Sequence, residues 1–528
     1  MMRITNAMMT SNTKNNININ KLNEDRLNTQ MATGQKISRP SDDPVVAIRA
    51  LRLNTNLSQL NQYYDKNIPD ASAWMKVTET ALSQTDQIFT NIKENLTTGA
   101  SDTNTATDRQ KILTSLKGLR EELYSSGNAD YAGRTVFTGY RTGESLTFLA
   151  TDKDLEHDIR IHDTFTMDDI EEDYPYVVST DITSTGQYEQ TVEEKEIHRL
   201  RLSYDRLNVP DDYSEKLCVT KITEGPAPDY EPTRTVINSF TVNVKHINQA
   251  GMTQQAIDDV YTNVTPGTVT IIPETGEVIL ADDVYNTLSG ISDYTEISLE
   301  YNKGGSEESR WQAGDLRPEH YFACVDETDG TYFNYYQKAD GTIDTSKPNF
   351  KDQDMEIEIS FNQKITINTH ADEVYSHDIG RGLDDLLRVT QDVVDAEEKL
   401  DKCKKDLAAA TDPAAKEDLQ KLVDSYEKEF SFKKDKMQRM FSEAIDIYEG
   451  YADRNNVAIA NIGSLQSRLE VTKERVKDQL QSFKELADSN INAEVTDTAI
   501  DLKSAELALE AAQLAASKIA QQTLLNYL

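Results

Sequence analysis

The sequence predicts an α+β chain: an elongated helical bundle or coiled coil built from both chain ends, with a β-rich domain inserted between them. Three observations carry this. Ile500, Leu507 and Leu514 keep a seven-residue spacing that returns at Leu528, with Leu502, Leu509 and Ala516 as a second row beside them; an apolar heptad wants a partner helix. From Leu386 to Phe483 apolar residues recur in steps of three and four. Between about residues 145 and 375 the period becomes two, as in half-buried strands. The resulting division is a terminal coiled coil (1–40 and 489–528), a helical-bundle body (41–145 and 355–488) and an inserted β-rich outer domain (146–354).

The first forty residues are polar. Ile4, Met8, Ile19, Leu22 and Leu27 are their regularly placed apolar residues, and Arg3, Lys14, Lys21, Arg26, Lys36 and Arg39 outnumber Glu24 and Asp25. The last forty reverse that balance, with Glu494, Asp497, Asp501, Glu506 and Glu510 against Lys503 and Lys518. The two ends therefore attract each other, although exposed charge pairs are weak and screened by salt. The apolar row at the C-terminus is undercovered by so polar a partner, which predicts a subunit whose termini order during assembly. The candidate assembly residues are Ile4, Met8, Ile19 and Leu22 at one end and Ile500, Leu502, Leu507, Leu509, Leu514 and Leu528 at the other.

Arg39-Pro40-Ser41-Asp42-Asp43-Pro44 reads as a helix start, with Asp43 as N-cap and Pro44 where a missing N–H costs nothing. The following helix is apolar at Val45, Ile48, Leu51, Leu53, Leu57 and Leu60 and carries Arg49 and Arg52. A second places Trp74, Val77, Ala81, Ile88 and Ile92 on one face, and a third Ile112, Leu116, Leu119 and Leu123. Their partner comes from Leu386, Val389, Val393, Ala396, Leu400, Cys403 and Leu407. Thr411-Asp412-Pro413 then restarts a helix that, if unbroken from 414 to 487, is roughly 110 Å long at 1.5 Å per residue. Inside the insert, Thr235–Ile237 with Phe240–Val244 reads as strand, Thr268–Ile272 and Glu277–Leu280 as a hairpin about Pro273–Gly276, and Thr253–Tyr261 as a short helix. Met355, Ile357, Ile359 and Phe361 alternate with polar residues, and Ile365 and Ile367 continue the pattern past a turn at Asn362-Gln363. Because the heptads that must pair lie outside it and its ends return to one body, the insert should be peripheral to the connection those helices make and replaceable by a short linker.

A chain of 528 residues forms two or more domains, since single cores stop growing at ~250 to 300 residues. Its net charge of −36 argues against nucleic acid, whose phosphates demand a basic face. No apolar run approaches the ~20 residues that cross a bilayer, and the polar N-terminus lacks the apolar stretch of a cleaved signal peptide. Cys218, Cys324 and Cys403 are too few and too far apart for a disulfide framework or a zinc site.

The sequence holds no P-loop, no G-x-G-x-x-G after a strand, no G-x-S-x-G and no H-E-x-x-H, so no catalytic, cofactor-binding or metal-binding residue is expected. His370-Ala371-Asp372-Glu373 with His377-Asp378 is the densest group of metal-ligand types, but its spacing fits a polar connector better than a metal site. Asp326, Asp329 and Gly330 fall short of a calcium loop. Lys402, Lys404 and Lys405 alternate with Asp401 and Asp406 as on a solvated helix face.

Leu27-Asn28-Thr29-Gln30-Met31-Ala32-Thr33-Gly34, running through Ile37-Ser38-Arg39-Pro40-Ser41-Asp42-Asp43-Pro44 to Arg49-Ala50-Leu51-Arg52-Leu53, resembles the N-terminal region of bacterial flagellins. It is closer still to the hook-filament junction proteins of that flagellin-like family. Ile462-Gly463-Ser464-Leu465-Gln466-Ser467-Arg468-Leu469-Glu470 is similar to the flagellin-type G-x-x-Q-x-R-L-E stretch, and Ala505–Leu528 to the junction proteins' terminal helix. The resemblance covers about 1–145 and 355–528; the longer centre and the charged stretch Asp401–Lys434 depart from it. It implies a non-enzymatic, extracellular axial component of the flagellum. Such a chain leaves the cell through the flagellar type III export apparatus with an export chaperone and without a cleaved signal peptide, then polymerises as a ring between another hook-associated protein and flagellin. Flagellin itself, the filament subunit, is the alternative with a large central domain.

Overall fold

The computed structural model describes residues 6–102, 104–179, 191–223, 233–249, 252–291, 296–337, 342–348 and 353–525. The helices are α1 (Asn6–Thr33), α2 (Pro44–Gln62), α3 (Ile68–Gly99), α4 (Ala106–Ser126), α5 (Gln254–Thr262), α6 (Asp282–Ser289), α7 (Ala371–Val374), α8 (His377–Ala409), α9 (Pro413–Ile491) and α10 (Val495–Leu525). The strands are β1 (Asp130–Tyr131), β2 (Arg134–Thr135), β3 (Ile159–Phe165), β4 (Ile170–Ser179), β5 (Val192–Arg201), β6 (Lys216–Thr223), β7 (Thr233–Val244), β8 (Thr268–Ile272), β9 (Glu277–Leu280), β10 (Glu296–Lys303), β11 (Ala323–Asp326), β12 (Thr331–Phe333), β13 (Tyr335–Gln337), β14 (Ile343–Pro348), β15 (Glu356–Ser360) and β16 (Gln363–Thr366). The fold is α+β, with long helices at both ends and the sheet between them.

Two compact units are distinguished: residues 1–72, 356–365 and 466–528 in one, and 73–355 and 366–465 in the other. In the first, α1 pairs with α10. After α2 a π-turn at Tyr63–Asn67 aims two side chains at β15 and the turn that follows it: Asn67 Nδ2 donates to the Glu358 carbonyl at 2.8 Å, and the Tyr63 ring meets Phe361 edge-on at 5.7 Å. β15 and β16 form the alternating hairpin read from the sequence, its turn closed by Asn362 in the left-handed region at φ 55°.

The second unit is built on a ten-stranded sheet of order β12-β11-β3-β10-β6-β7-β8-β9-β5-β4. Neighbours are antiparallel except β7 and β8, where a parallel pairing requires a crossover and α5 supplies a helix between them. β8 and β9 are the expected hairpin. Gly276 adopts φ +63° in its turn, where a Cβ would collide with the Tyr204 carbonyl oxygen. Ile161, Leu200, Leu217, Val269, Leu299 and Trp311 belong to its main core, and Tyr174, Ile197, Tyr261, Ile272 and Ile279 to a smaller cluster that α5 helps cover.

Helix α4 buries Ile112, Leu116, Leu119 and Leu123, and packs on α8, which buries Leu386, Val389, Val393 and Ala396. Farther along, Leu400 and Cys403 of α8 meet Val423 of α9 in a small separate core, and Lys404 pairs with Glu427 at 2.8 Å. The lysine run is thus the solvated face of a helical hairpin.

A buried ion network ties β4, β5 and β9 of the insert to α8. Arg199 of β5 reaches Glu277 of β9 at 2.7 Å, Glu171 of β4 at 2.7 Å and Asp385 of α8 at 2.8 Å. Arg388 closes the circuit on Glu277 (2.7 Å) and Asp385 (2.9 Å), Arg201 adds 3.0 Å to Asp385, and the Tyr261 hydroxyl donates to Glu277 at 2.7 Å. Burial alone would neutralise these carboxyls, but Arg388 and Arg199 beside Glu277, and Arg199, Arg388 and Arg201 beside Asp385, hold both far below the usual carboxylate range. Arg381 of α8 also donates to the Leu202 carbonyl at 3.0 Å and to the Thr275 carbonyl at 2.5 Å. Excising the insert would strand these charges.

Breaking a buried pair from one side leaves an uncompensated charge. Asp385→Ala should therefore destabilise this unit by about 3 to 5 kcal/mol. Glu449→Ala, which removes only the exposed partner of Lys93, should cost under ~1 kcal/mol. Urea denaturation monitored by tryptophan fluorescence, sensitive to buried Trp74 and Trp311, compares them.

His377, at the start of α8, is enclosed by the rings of Tyr204, Tyr321 and Phe322. Burial first, then the cations Arg381 and Lys303, push its imidazole down to about 3. A histidine depressed in the fold contributes stability that is present above its unfolded value of 6.5 and is lost as pH falls from there toward 3. His320, lowered to about 4, acts in the same direction, while Asp163, raised to about 6, acts oppositely below pH 6. His377→Phe should remove a slope of about 1.4 kcal/mol per pH unit between pH 6 and 4 relative to the parent chain. Paired urea titrations at pH 7, 6, 5 and 4 measure it.

Candidate assembly interface

Helix α1 ends at Gly34, which takes φ +70° while its N–H reaches the Gln30 carbonyl at 2.8 Å, a left-handed cap that suits glycine. The chain then pairs briefly with the connector between α9 and α10. Lys36 N–H donates to the Ile491 carbonyl at 2.8 Å and Ala493 N–H to the Gly34 carbonyl at 2.9 Å, a small antiparallel bridge. With Asn20 Nδ2 donating to the Ala508 carbonyl at 3.3 Å, these contacts set α1 antiparallel to α10. Asp42 Oδ2 holds the connecting turn by accepting from Arg39 N–H at 2.9 Å. Asp43 Oδ1 accepts from Val45 and Val46 N–H at 3.0 and 3.1 Å, the N-cap expected from the sequence.

The two rows of α10 have different fates. Thr498, Leu502, Ala505, Leu509, Ala512 and Ala516 step by three and four without interruption and are buried or half-buried. Ile500, Leu507 and Leu514 lie outside this row, 60, 58 and 63% exposed. On α1 the covered row is Thr13, Ile17, Asn20, Glu24 and Leu27, and Met8, Ile19 and Leu22 are exposed. Of the sequence-derived assembly residues, Leu502 and Leu509 therefore face the intramolecular seam, and Met8, Ile19, Leu22, Ile500, Leu507 and Leu514 face outward. Ile4 and Leu528 lie outside the described residues.

Ile17 on α1, and Ala505 and Ala512 on α10, join the inner face beside the row of Leu502, Leu509 and Ala516 already legible in the sequence. The unbroken three-four repeat of Thr498, Leu502, Ala505, Leu509, Ala512 and Ala516 is the signal that marks the inner face. Among the described residues no ion pair links α1 to α10. Lys503 instead pairs with Glu506 on its own helix at 2.8 Å, which raises the lysine's pKa. The termini, expected to order during assembly, are helical in this structure from Asn6 and to Leu525.

Helix α2 departs from the expected pattern. Ala47 and Leu60 are buried, but Val45, Ile48 and Leu51, read as part of a core-facing stripe, are exposed. Arg49 and Arg52 are exposed beside them.

The residues with metal-ligand chemistry have internal partners. His370 Nε2 lies 3.0 Å from Asp354, whereas His377 sits in its aromatic cage, so that group does not converge. Asp326 caps its own turn by accepting from Thr328 N–H at 2.9 Å and meets His157 Nδ1 at 2.6 Å. Among the described residues, His157 with Asp326 and Asp329, and Glu144 with Glu319 and His320, bring three possible ligand atoms within 4.8 Å of one another. Glu319 is engaged by Arg317 at 3.2 Å. Cys218, Cys324 and Cys403 are free thiols, and among the described residues no helix is long and apolar enough to cross a membrane.

A seam in which α1 offers only Ile17 and Leu27 as large apolar residues is lean. Amides of Asn6–Thr33 and of 495–518 should exchange at least about 100-fold faster in the monomer than those of Ile112–Leu123, since local opening reflects the apolar contact each segment makes. Hydrogen–deuterium exchange read by mass spectrometry reports this, and equal protection would show the seam to be self-sufficient.

Residues 4–142 match the bacterial flagellin N-terminal helical region. Over 144 residues the chain is 32% identical to the flagellar hook-associated protein 3 of Salmonella typhimurium and 31% identical to that of Escherichia coli. In each case the match covers 27% of this chain and 44% of the relative, so the chain spans under half the length of the curated relatives it matches. A solved structure of a putative flagellar hook-associated protein from Vibrio parahaemolyticus aligns with 85% of this chain and 100% of its own, at 11% identity and a TM-score of 0.33.

Proposed function

We propose that this chain, a relative of flagellar hook-associated protein 3, is a structural component of the bacterial flagellum that acts as an adaptor at the hook-filament junction. In this reading its terminal helices polymerise axially as a ring, joining another hook-associated protein on one side to flagellin on the other. It works by fitting surfaces together rather than by catalysis. The chain is exported by the flagellar type III apparatus with an export chaperone and functions outside the cell. The division into a terminal coiled coil, a helical body and an outer β-rich domain belongs to the same proposal.

The observation that carries the reading is the outward row Ile500, Leu507 and Leu514, accompanied by Met8, Ile19 and Leu22 on α1. A single chain leaves this surface in water at a cost of roughly 25 cal/mol per Å² of apolar area, and large exposed apolar rows mark protein contacts. Leu502 and Leu509 then serve assembly indirectly, by holding α10 against α1 so that the outer row is presented. Flagellin is the less favoured reading, because both curated relatives named above are hook-associated protein 3.

Leu507→Asp with Leu514→Asp should leave secretion and the fold of the sheet-bearing unit intact while abolishing incorporation, because each carboxylate would have to be desolvated in the contact. In a strain lacking the native gene, flagellin should appear in the medium and filaments should be absent. Immunogold labelling of the parent chain should mark one position between hook and filament. Labelling along the filament would favour the flagellin reading, and normal filaments from the double variant would remove the row from assembly.

A further inference from the structure

We propose that the cleft formed by β4, β5, α8 and α9 receives the first turns of α2 from a second copy of this chain, an acidic apolar socket meeting a basic apolar ridge. The inference rests on the reading of the chain as an assembling subunit and specifies one contact within that assembly.

The socket is a cleft of about 200 Å³ with Leu386, Ala444 and Ile447 among its walls and Tyr174, Tyr448 and Tyr451 among its aromatic lining. Its two arginines are already matched, Arg199 by Glu171, Glu277 and Asp385, and Arg201 by Asp385. The remaining charged residues that line the cleft are acidic, with Lys436 and Arg454 over the rings of Tyr174 and Tyr451. Asp173, Asp378 and Glu443 line the cleft, are exposed and make no ion pair among the described residues. Ile447, also lining the cleft, is 53% exposed although it lies on a helix whose neighbouring turns bury Ala444 and Tyr448. Such a surface suits an apolar side chain flanked by positive charge.

The beginning of α2 has that chemistry. Val45, Ile48 and Leu51 recur at three-residue steps and are exposed; Arg49 and Arg52 stand beside them, also exposed and without an ion pair among the described residues. The Asp43 cap fixes where this ridge begins. Copies that each carry a net charge of −36 repel one another on average, so a contact between them gains most where a local basic surface meets an acidic one. Val45, Ile48 or Leu51 would enter the cleft, with Arg49 and Arg52 answering Asp173, Asp378 and Glu443.

The test mixes two full-length variants at assembling concentration, Ile48→Cys and Ile447→Cys, each in a Cys218→Ser background because Cys218 is the least buried natural thiol. A short bis-maleimide should give a cross-linked dimer in the mixture and little with either variant alone. Arg49→Glu with Arg52→Glu on the Ile48→Cys copy should lower the yield about tenfold, and Asp173→Arg with Glu443→Arg on the Ile447→Cys copy should restore it. Sedimentation of the parent chain in parallel separates the two levels. Oligomers that form without a mixed cross-link, or a charge reversal that neither lowers the yield nor is rescued, overturn this contact and leave the assembly reading standing. A parent chain that stays monomeric overturns both.

Discussion

The constraint on which the rest depends is that α1 is too polar to cover α10. Helix α10 is apolar on more than one side, with Leu502 and Leu509 in one row and Ile500, Leu507 and Leu514 in another, and an antiparallel partner can close only one of them. The closed row contains Ala505, Ala512 and Ala516, small residues that let helix backbones approach. It faces Thr13, Ile17, Asn20, Glu24 and Leu27, of which only two are large and apolar. Pairing is therefore sufficient to orient the helices and insufficient to bury them. The open row is a consequence of that arithmetic of faces, and the proposed role at a flagellar junction uses what the single chain leaves uncovered.

Elsewhere the chain takes the opposite course and pairs its charges deep inside. Arg199, Arg201 and Arg388 share Glu171, Glu277 and Asp385 among strands β4, β5 and β9 and helix α8. An apolar contact of the same size would be at least as stabilising, but a fork of guanidinium hydrogen bonds tolerates little displacement. The network ties the large sheet to a helix of the body in one geometry.

The local signals in the sequence were legible because they arise from short-range physics. Asp43-Pro44 caps and starts α2, Gly276 turns the β8–β9 hairpin, Asn362 turns β15 into β16, and the three-four repeats of α4 and α8 bury Ile112, Leu116, Leu119, Leu123, Leu386, Val389, Val393 and Ala396. Each depends on backbone geometry or on helical period within a few residues. The likeness of residues 4–142 to flagellin was legible for the same reason, since a motif is a local string.

The α+β architecture, the helical ends, the position of the strand-rich insert and an apolar surplus at the C-terminus can all be read from residue order alone. Which row of α10 is spent inside the chain, the exposure of Val45, Ile48 and Leu51, and the ionic tie of the insert to α8 emerge from packing. Arg199 and Asp385 meet across 186 positions, and Glu277 and Arg388 across 111. A heptad specifies that a face wants covering but not which partner arrives, and charges so far apart leave no periodic trace. Their pairing is chosen when the sheet and helices pack, by the cost of burying any one of them alone.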